Sequence, residues 1–226
     1  MKWRVFIILM VLSVFCIINQ AYALLISSSD LWDVSRGAGW VTVTSNTSVS
    51  YGNIYNMFGG TSYPVEGDPG RLIFTDSVPS NSTYFVEWQT KQPIELQSFN
   101  LVAAHDAWDG TIYRNAKYRG FQTFNLLIWN GSDWSNIYTY NPSLYFGGGP
   151  NYPSYNYLEL YGILSSPKIG DKFRAEFIIY SDANQWAKGP RIMELDGYGR
   201  VIPEPATLSL LGLGLVGLAG LKRRKV

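Results

Sequence analysis

An all-β sandwich is the fold class this sequence predicts for its central part, and three observations predict it. Short runs of β-branched and aromatic residues recur along residues 24–202, turn-forming residues separate them, and no long helical period is present. The runs are 39–44, 71–75, 83–89, 94–102, 121–129, 134–138, 157–161, 172–180 and 191–196. Alternation is clearest in the last two, where it places Phe173, Ala175, Phe177 and Ile179 on one face, with Ile192 and Leu195 near the core. Such strands have one wet face. Between 46 and 69 the chain is polar and glycine-rich, which predicts loops or a weak strand pair.

Turn chemistry fills the gaps. Asn130-Gly131-Ser132-Asp133 predicts a hairpin, because Asn-Gly readily takes the positive φ of a type I′ turn. Gly67-Asp-Pro-Gly70, Gly147-Gly-Gly-Pro150 and Ile169-Gly-Asp171 read as further breaks. Many short strands with short connections favour a sandwich over alternating strands and helices.

Both ends read as processing segments rather than fold. Residues 1–23 begin with Lys2 and Arg4, run apolar from Val5 to Ile18, and close on Ala21-Tyr22-Ala23, a small-x-small exit suited to signal peptidase. At the far end, Pro203-Glu204-Pro205 precedes an uncharged stretch, 206–221, and a basic stop of Lys222, Arg223, Arg224 and Lys225. As a helix those 16 residues rise about 24 Å, slightly short of a hydrocarbon core of about 30 Å. Snorkelling of Lys222 and Arg223 covers the shortfall. The cations after the span predict a cytoplasmic C-terminus, with the central domain outside the inner membrane.

Read together, these three ordered parts of 203–226 resemble the PEP-CTERM sorting signal of Gram-negative bacteria. The resemblance implies recognition near Pro203-Glu204-Pro205 by an exosortase, a membrane cysteine transpeptidase. It also implies an association with exopolysaccharide and biofilm matrix. Two prolines suit such processing physically, since they neither continue a helix nor donate main-chain hydrogen bonds.

The central domain carries a second, looser resemblance. Phe85-Val-Glu-Trp88, Pro93-Ile-Glu-Leu96 and Phe99-Asn-Leu-Val102 lead into the loop His105-Asp-Ala-Trp-Asp-Gly110. Trp129-Asn-Gly-Ser-Asp-Trp134 follows, then Phe173-Arg-Ala-Glu-Phe177 and Arg191-Ile-Met-Glu-Leu-Asp-Gly197. This order resembles the galactose-binding-like, discoidin-type jelly roll, although no cysteine pair closes this copy. The resemblance implies a non-catalytic module whose loops at one end bind glycans, lipids or proteins.

Charge and residue inventory exclude several functions. Residues 24–202 hold 12 Lys and Arg against 16 Asp and Glu, a net −4, which opposes a nucleic-acid groove. The one cysteine, Cys16, lies in the secretion signal, and His105 is the one histidine. There is no Gly-x-Ser-x-Gly elbow and no Walker-type glycine loop, and the Gly-x-Gly-x-x-Gly run at 212–217 lies inside the uncharged stretch 206–221. Carboxylate pairs such as Glu87/Glu95 and Glu194/Asp196 occur, but any acidic β-protein supplies pairs, and a glycosidase needs two carboxylates at a set separation with one pKa raised.

The densest polar cluster is Asp106, Trp108, Asp109, Tyr113 and Arg114, beside His105. Carboxylates and arginine bind sugar hydroxyls in pairs, and an aromatic face stacks on a pyranose. Asp106 and Asp109 also offer oxygen ligands of the kind Ca2+ takes. A plain turn is the third reading, since Asp and Gly turn for local reasons. A second aromatic stretch, between Tyr138 and Tyr161, reads either as a partner edge or as half-buried sandwich surface. No organic cofactor is expected.

The sequence therefore predicts an exported, exosortase-sorted surface or matrix protein. Its partners would be signal peptidase, exosortase, the inner membrane and exopolysaccharide, with no nucleic acid. The alternative is a structural biofilm protein without a small ligand, and a weak hydrolase stands third.

Overall fold

The structure is a computed structural model of the chain, and it describes residues 29–59, 72–79, 82–105, 119–142, 148–149, 152–181 and 187–203. The expected signal segment 1–23 and span 206–221 lie outside the described residues. Among the described residues, no helix is long and apolar enough to cross a membrane.

The elements are β1 (Val41–Asn46), β2 (Val49–Tyr51), β3 (Leu72–Phe74), β4 (Thr83–His105), β5 (Thr123–Trp129), β6 (Trp134–Tyr140), β7 (Gly148–Gly149), β8 (Tyr152–Ile178) and β9 (Arg191–Val201). Two short 3-10 turns, Val34–Arg36 and Ile54–Phe58, start at Asp33 and Asn53. There the cap side chains accept the N–H groups of Ser35 and Tyr55. All pairing is antiparallel, in the order β2-β3-β9-β4-β8-β5-β6, with β1 on β4 and β7 on β8.

Two strands differ from the sequence reading. The runs 83–89 and 94–102 are one strand, β4, and the runs 157–161 and 172–180 are one strand, β8. The stretch 169–171, read as a break, is a bend that keeps its ladder, with Gly170 opposite Ile94. Before the bend β4 lies between β1 and late β8; after it, between β9 and early β8.

That bend turns one ladder into two facing layers. Phe99 lies opposite Gly162, and Phe124 opposite Phe177. Along a straight β8 those two positions would stand about 50 Å apart at ~3.3 Å per residue. Yet the Phe99 and Phe124 rings lie 5.6 Å apart. Phe74 of β3 likewise meets Tyr84 and Phe177 at 5.6 and 6.1 Å. The chain is a β-sandwich, closed at one end by the bend.

The core follows from alternation with one correction. Tyr84, Val86, Trp88, Ile94 and Leu96 are buried on even positions, then Phe99, Leu101 and Ala103 on odd ones. A register shift between Leu96 and Ser98 makes the switch, so both halves of β4 aim inward. Phe173, Ala175, Phe177, Ile179, Ile192 and Leu195 are buried as alternation predicts. At Gly197 the Trp32 ring packs so closely that an added Cβ would meet it at 2.6 Å. Trp32 in turn meets Trp88 at 4.9 Å, tying the segment before β1 into both layers.

The β5–β6 hairpin forms where Asn-Gly predicts it, with a different turn. Gly131 takes φ 102°, while Asn130 does not join it at positive φ. Instead the Asn130 side chain accepts the N–H groups of Ser132 and Asp133, each at 2.9 Å. The loop therefore holds four residues in an Asx arrangement. Trp129 and Trp134 close it edge to face at 5.4 Å.

Candidate functional site

The sorting motif leaves the domain at the bend. Val201 lies opposite Ile94, and Arg200 lies opposite Glu95. The Arg200 guanidinium pairs with that carboxylate at 2.6 Å and holds it below its usual range. Ile202 N–H then donates to Pro93 C=O at 2.8 Å. Pro203 has no N–H to give, so the ladder stops there. The chain is thus held by the sheet until one residue before the motif. Glu204, Pro205, Lys222, Arg223, Arg224 and Lys225 lie outside the described residues.

The polar cluster Asp106, Trp108, Asp109, Tyr113 and Arg114 also lies outside them, and with it the calcium alternative at Asp106 and Asp109. Its two anchors are described. β4 ends at His105, opposite Asn156. The chain resumes at Arg119, which takes φ 54°. Its guanidinium grips Asp76 through two bonds, 2.6 and 3.1 Å, and its backbone joins Ala187 and Arg191. Asp76 also accepts Gly189 N–H at 2.9 Å. From Ile94 to His105, β4 runs about 36 Å at ~3.3 Å per residue, so loop and tail leave at opposite levels. Among the described residues, no group of three or more His, Cys, Asp or Glu is placed to hold a metal ion.

The carboxylate pairs noted in the sequence resolve into two kinds. Glu87 and Glu95 are spoken for, the first by Arg174 and the second by Arg200. Arg174 also binds Glu176 at 3.2 Å and stacks over Phe85 and Trp134, at 4.9 and 5.1 Å. Glu194 and Asp196 are buried and join a third carboxylate, Asp30, that sequence reasoning missed. Nothing periodic marks Asp30, which precedes the first strand.

Asp30, 3 % exposed, accepts N–H groups from Trp32 at 2.8 Å and Gly197 at 2.7 Å. Burial pushes its carboxyl up to about 8, the Asp196 charge adds to this, and the two backbone bonds oppose it. Asp196 accepts from Tyr198 OH at 3.0 Å, from Asn100 Nδ2 at 3.4 Å, and from Glu194. Burial raises its carboxyl as well. A bond from one carboxyl to another needs a proton, so this cluster holds protons that free carboxylates release. Asn100 Oδ1 is buried with no hydrogen-bond partner among the described residues.

The aromatic stretch splits. Tyr138 and Tyr140 are half-buried and pack on the core, Tyr138 meeting Phe99 at 4.8 Å. Tyr161 is exposed on the outer face beside Tyr198, ring to ring at 6.3 Å, with its hydroxyl 3.0 Å from Ser98 Oγ. Tyr145, Phe146, and the side chains of Tyr152, Tyr155 and Tyr157 lie outside what the structure describes.

Fold and tail together define the class: an antiparallel β-sandwich joined to a sorting signal. The PEP-CTERM protein-sorting motif matches residues 201–225. It implies an exosortase as processing partner, with export and membrane-anchored sorting before the cell surface. Among solved structures, the chain is similar to allantoicase from Saccharomyces cerevisiae, at 11% identity and TM-score 0.51, over 82% of this chain and 54% of that one. A second allantoicase matches at 10% identity and TM-score 0.50, over 76% of this chain and 43% of the other. The chain thus spans about half of each, and the likeness is one of fold. A family 32 carbohydrate-binding module from C. perfringens NanJ, solved with galactose, matches at 12% identity and TM-score 0.47, over 70% of this chain and 93% of that one. Among curated proteins no sequence matches.

Proposed function

We propose that this protein is exported, held at the membrane by its C-terminal tail, and displayed at the cell surface or in the extracellular matrix after exosortase processing. There its sandwich acts as a non-catalytic module for polysaccharide of the cell's own matrix. The observation that carries this reading is the polarity of the domain. The tail leaves beside Ile94, while β4 delivers its other end, His105, at the opposite level. A module tethered at one end offers the other to solvent. The residues that follow His105 supply what a sugar needs: Asp106, Asp109 and Arg114 for hydroxyls, and Trp108 and Tyr113 for stacking.

Glycan-array binding by the full chain, compared with Trp108→Ala and Asp106→Ala, tests it. Each change is expected to weaken binding by roughly tenfold, equivalent to about 1.4 kcal/mol. Undiminished binding in both variants would place the site elsewhere.

One feature favours a second reading, a structural surface or biofilm protein without a small ligand. Among the described residues β6 pairs only with β5, and its sequence Trp-Ser-Asn-Ile-Tyr-Thr-Tyr carries no charge. A neutral edge accepts a strand from another copy. Sedimentation that rises with concentration, and stays flat in Asn136→Lys, would support that reading.

A further inference from the structure

We infer that the bent end of the sandwich rests on the membrane beside the anchor, docked on an anionic lipid surface. The inference builds on the proposed C-terminal span. Its first support is reach. The sheet holds the chain through Ile202, whose N–H is bonded to Pro93, and the expected span begins at residue 206. The four Cα–Cα steps from Ile202 to residue 206 extend at most about 14 Å. A headgroup layer is itself about 6 Å thick. The bend therefore stands within about 8 Å of the lipid surface.

The second support is what that end carries. Ile163 and Ile169 are 70% and 63% exposed, the most exposed large apolar residues described. They flank the part of β8 that bulges out of register, where Leu96 pairs with Lys168 but Ser98 with Ile163. Lys91, Lys168 and Lys172 sit at the same level: Lys91 N–H is bonded to Trp40 C=O, Lys168 lies opposite Leu96, and Lys172 opposite Gln89. With Arg200 they give four cations. The acids of this end are Glu95, tied to Arg200; Asp171, which accepts from Gln89 at 2.8 Å; and Asp133, in the hairpin loop after Trp129, whose carbonyl lies beside Gly170. So this end is net positive, whereas residues 24–202 as a whole are net −4. A cationic rim around exposed isoleucines matches an anionic headgroup layer, where each Lys or Arg contributes about 1 kcal/mol. Such a dock would fix the tilt of the domain and aim the His105 end outward.

The full chain, with Cys16→Ser so that each variant has one thiol, tests this in vesicles. Ile169→Cys and Thr83→Cys, both at exposed positions, would carry an environment-sensitive fluorophore, with a quencher attached to lipid headgroups. In vesicles of phosphatidylcholine with phosphatidylglycerol, the label at 169 is expected to shift to the blue and be quenched several-fold more than the label at 83. Vesicles of phosphatidylcholine alone should reduce the difference. Charge reversal at Lys91, Lys168 and Lys172, each to Glu, should abolish it while the far-UV spectrum and melting curve stay as in the parent. If the chain floats with vesicles but the label at 169 is as aqueous as the label at 83, the dock is overturned. If charge reversal leaves the signal intact, its electrostatic basis is overturned. Failure to float at all overturns the anchor reading, and this inference with it.

Discussion

Two groups of carboxylates stand in this domain on opposite terms. On the outer face, Glu87 and Glu176 share the Arg174 guanidinium, which is itself held between Phe85 and Trp134. Within the sandwich, Asp30, Glu194 and Asp196 meet one another and backbone N–H groups. The first group balances charge with a cation. The second lowers its charge by keeping protons. Burial raises the second group first, and what faces each acid adds to or offsets that rise.

Three expectations sharpen the contrast. The largest is for Asp30→Ala, which leaves the buried N–H groups of Trp32 and Gly197 without their acceptor. At about 2 kcal/mol each, the loss should be about 4 kcal/mol in denaturant unfolding at about pH 4, below the window in which the raised Asp30 carboxyl itself costs stability. Asp30→Asn keeps a carbonyl acceptor and should cost much less. If Asn and Ala are equally damaging, the acceptor role is wrong.

Next comes pH. Asp30 holds its proton up to about 8 in the folded chain, against a usual value of 3.8. Between those values the folded state binds a proton that the unfolded chain has released. Stability must therefore fall as pH rises from about 4 to about 8, by about 1.4 kcal/mol per pH unit for each such proton. Asp196, raised too, adds to the fall in the lower part of that window. Melting temperatures across the window check this, and Asp30→Asn should flatten the upper part. A curve that climbs with pH would reverse the assignment.

The smallest effect is expected outside. Glu87→Gln removes a half-exposed charge from the Arg174 lattice and should cost about 1 kcal/mol. Its penalty should shrink with added salt, whereas that of Asp30→Ala should not. Equal salt sensitivity in the two variants would erase the distinction between the groups.

Much of the sandwich was legible before the structure, and the reasons are local. Phe173 through Ile179 alternate cleanly because one face of that strand is packed and the other is wet. The continuity of β4 and β8 was not legible. Gly170 reads as a stop, yet it stays in the ladder because its missing side chain makes room for Ile128, 2.7 Å from where a Cβ would stand. Pairing that reaches across the fold overrides a local breaker. Asp30 was invisible for a related cause: its role comes from Gly197, far along the chain, and no spacing encodes that. For the candidate ligand loop the residue types suggest a chemistry, while residues 106–118 lie outside the described residues.

The position of β9 has a consequence for timing. This strand comes last in the domain, yet it lies inside the sheet, between β3 and β4. Asp30 and Leu31, at the start, also close upon it through Gly197. A chain delivered N-terminus first therefore cannot complete its hydrophobic interior until residue 201 has emerged. Its pairing is largely non-local, so folding waits on strands distant in the chain. A polypeptide with that schedule stays threadable until its tail arrives.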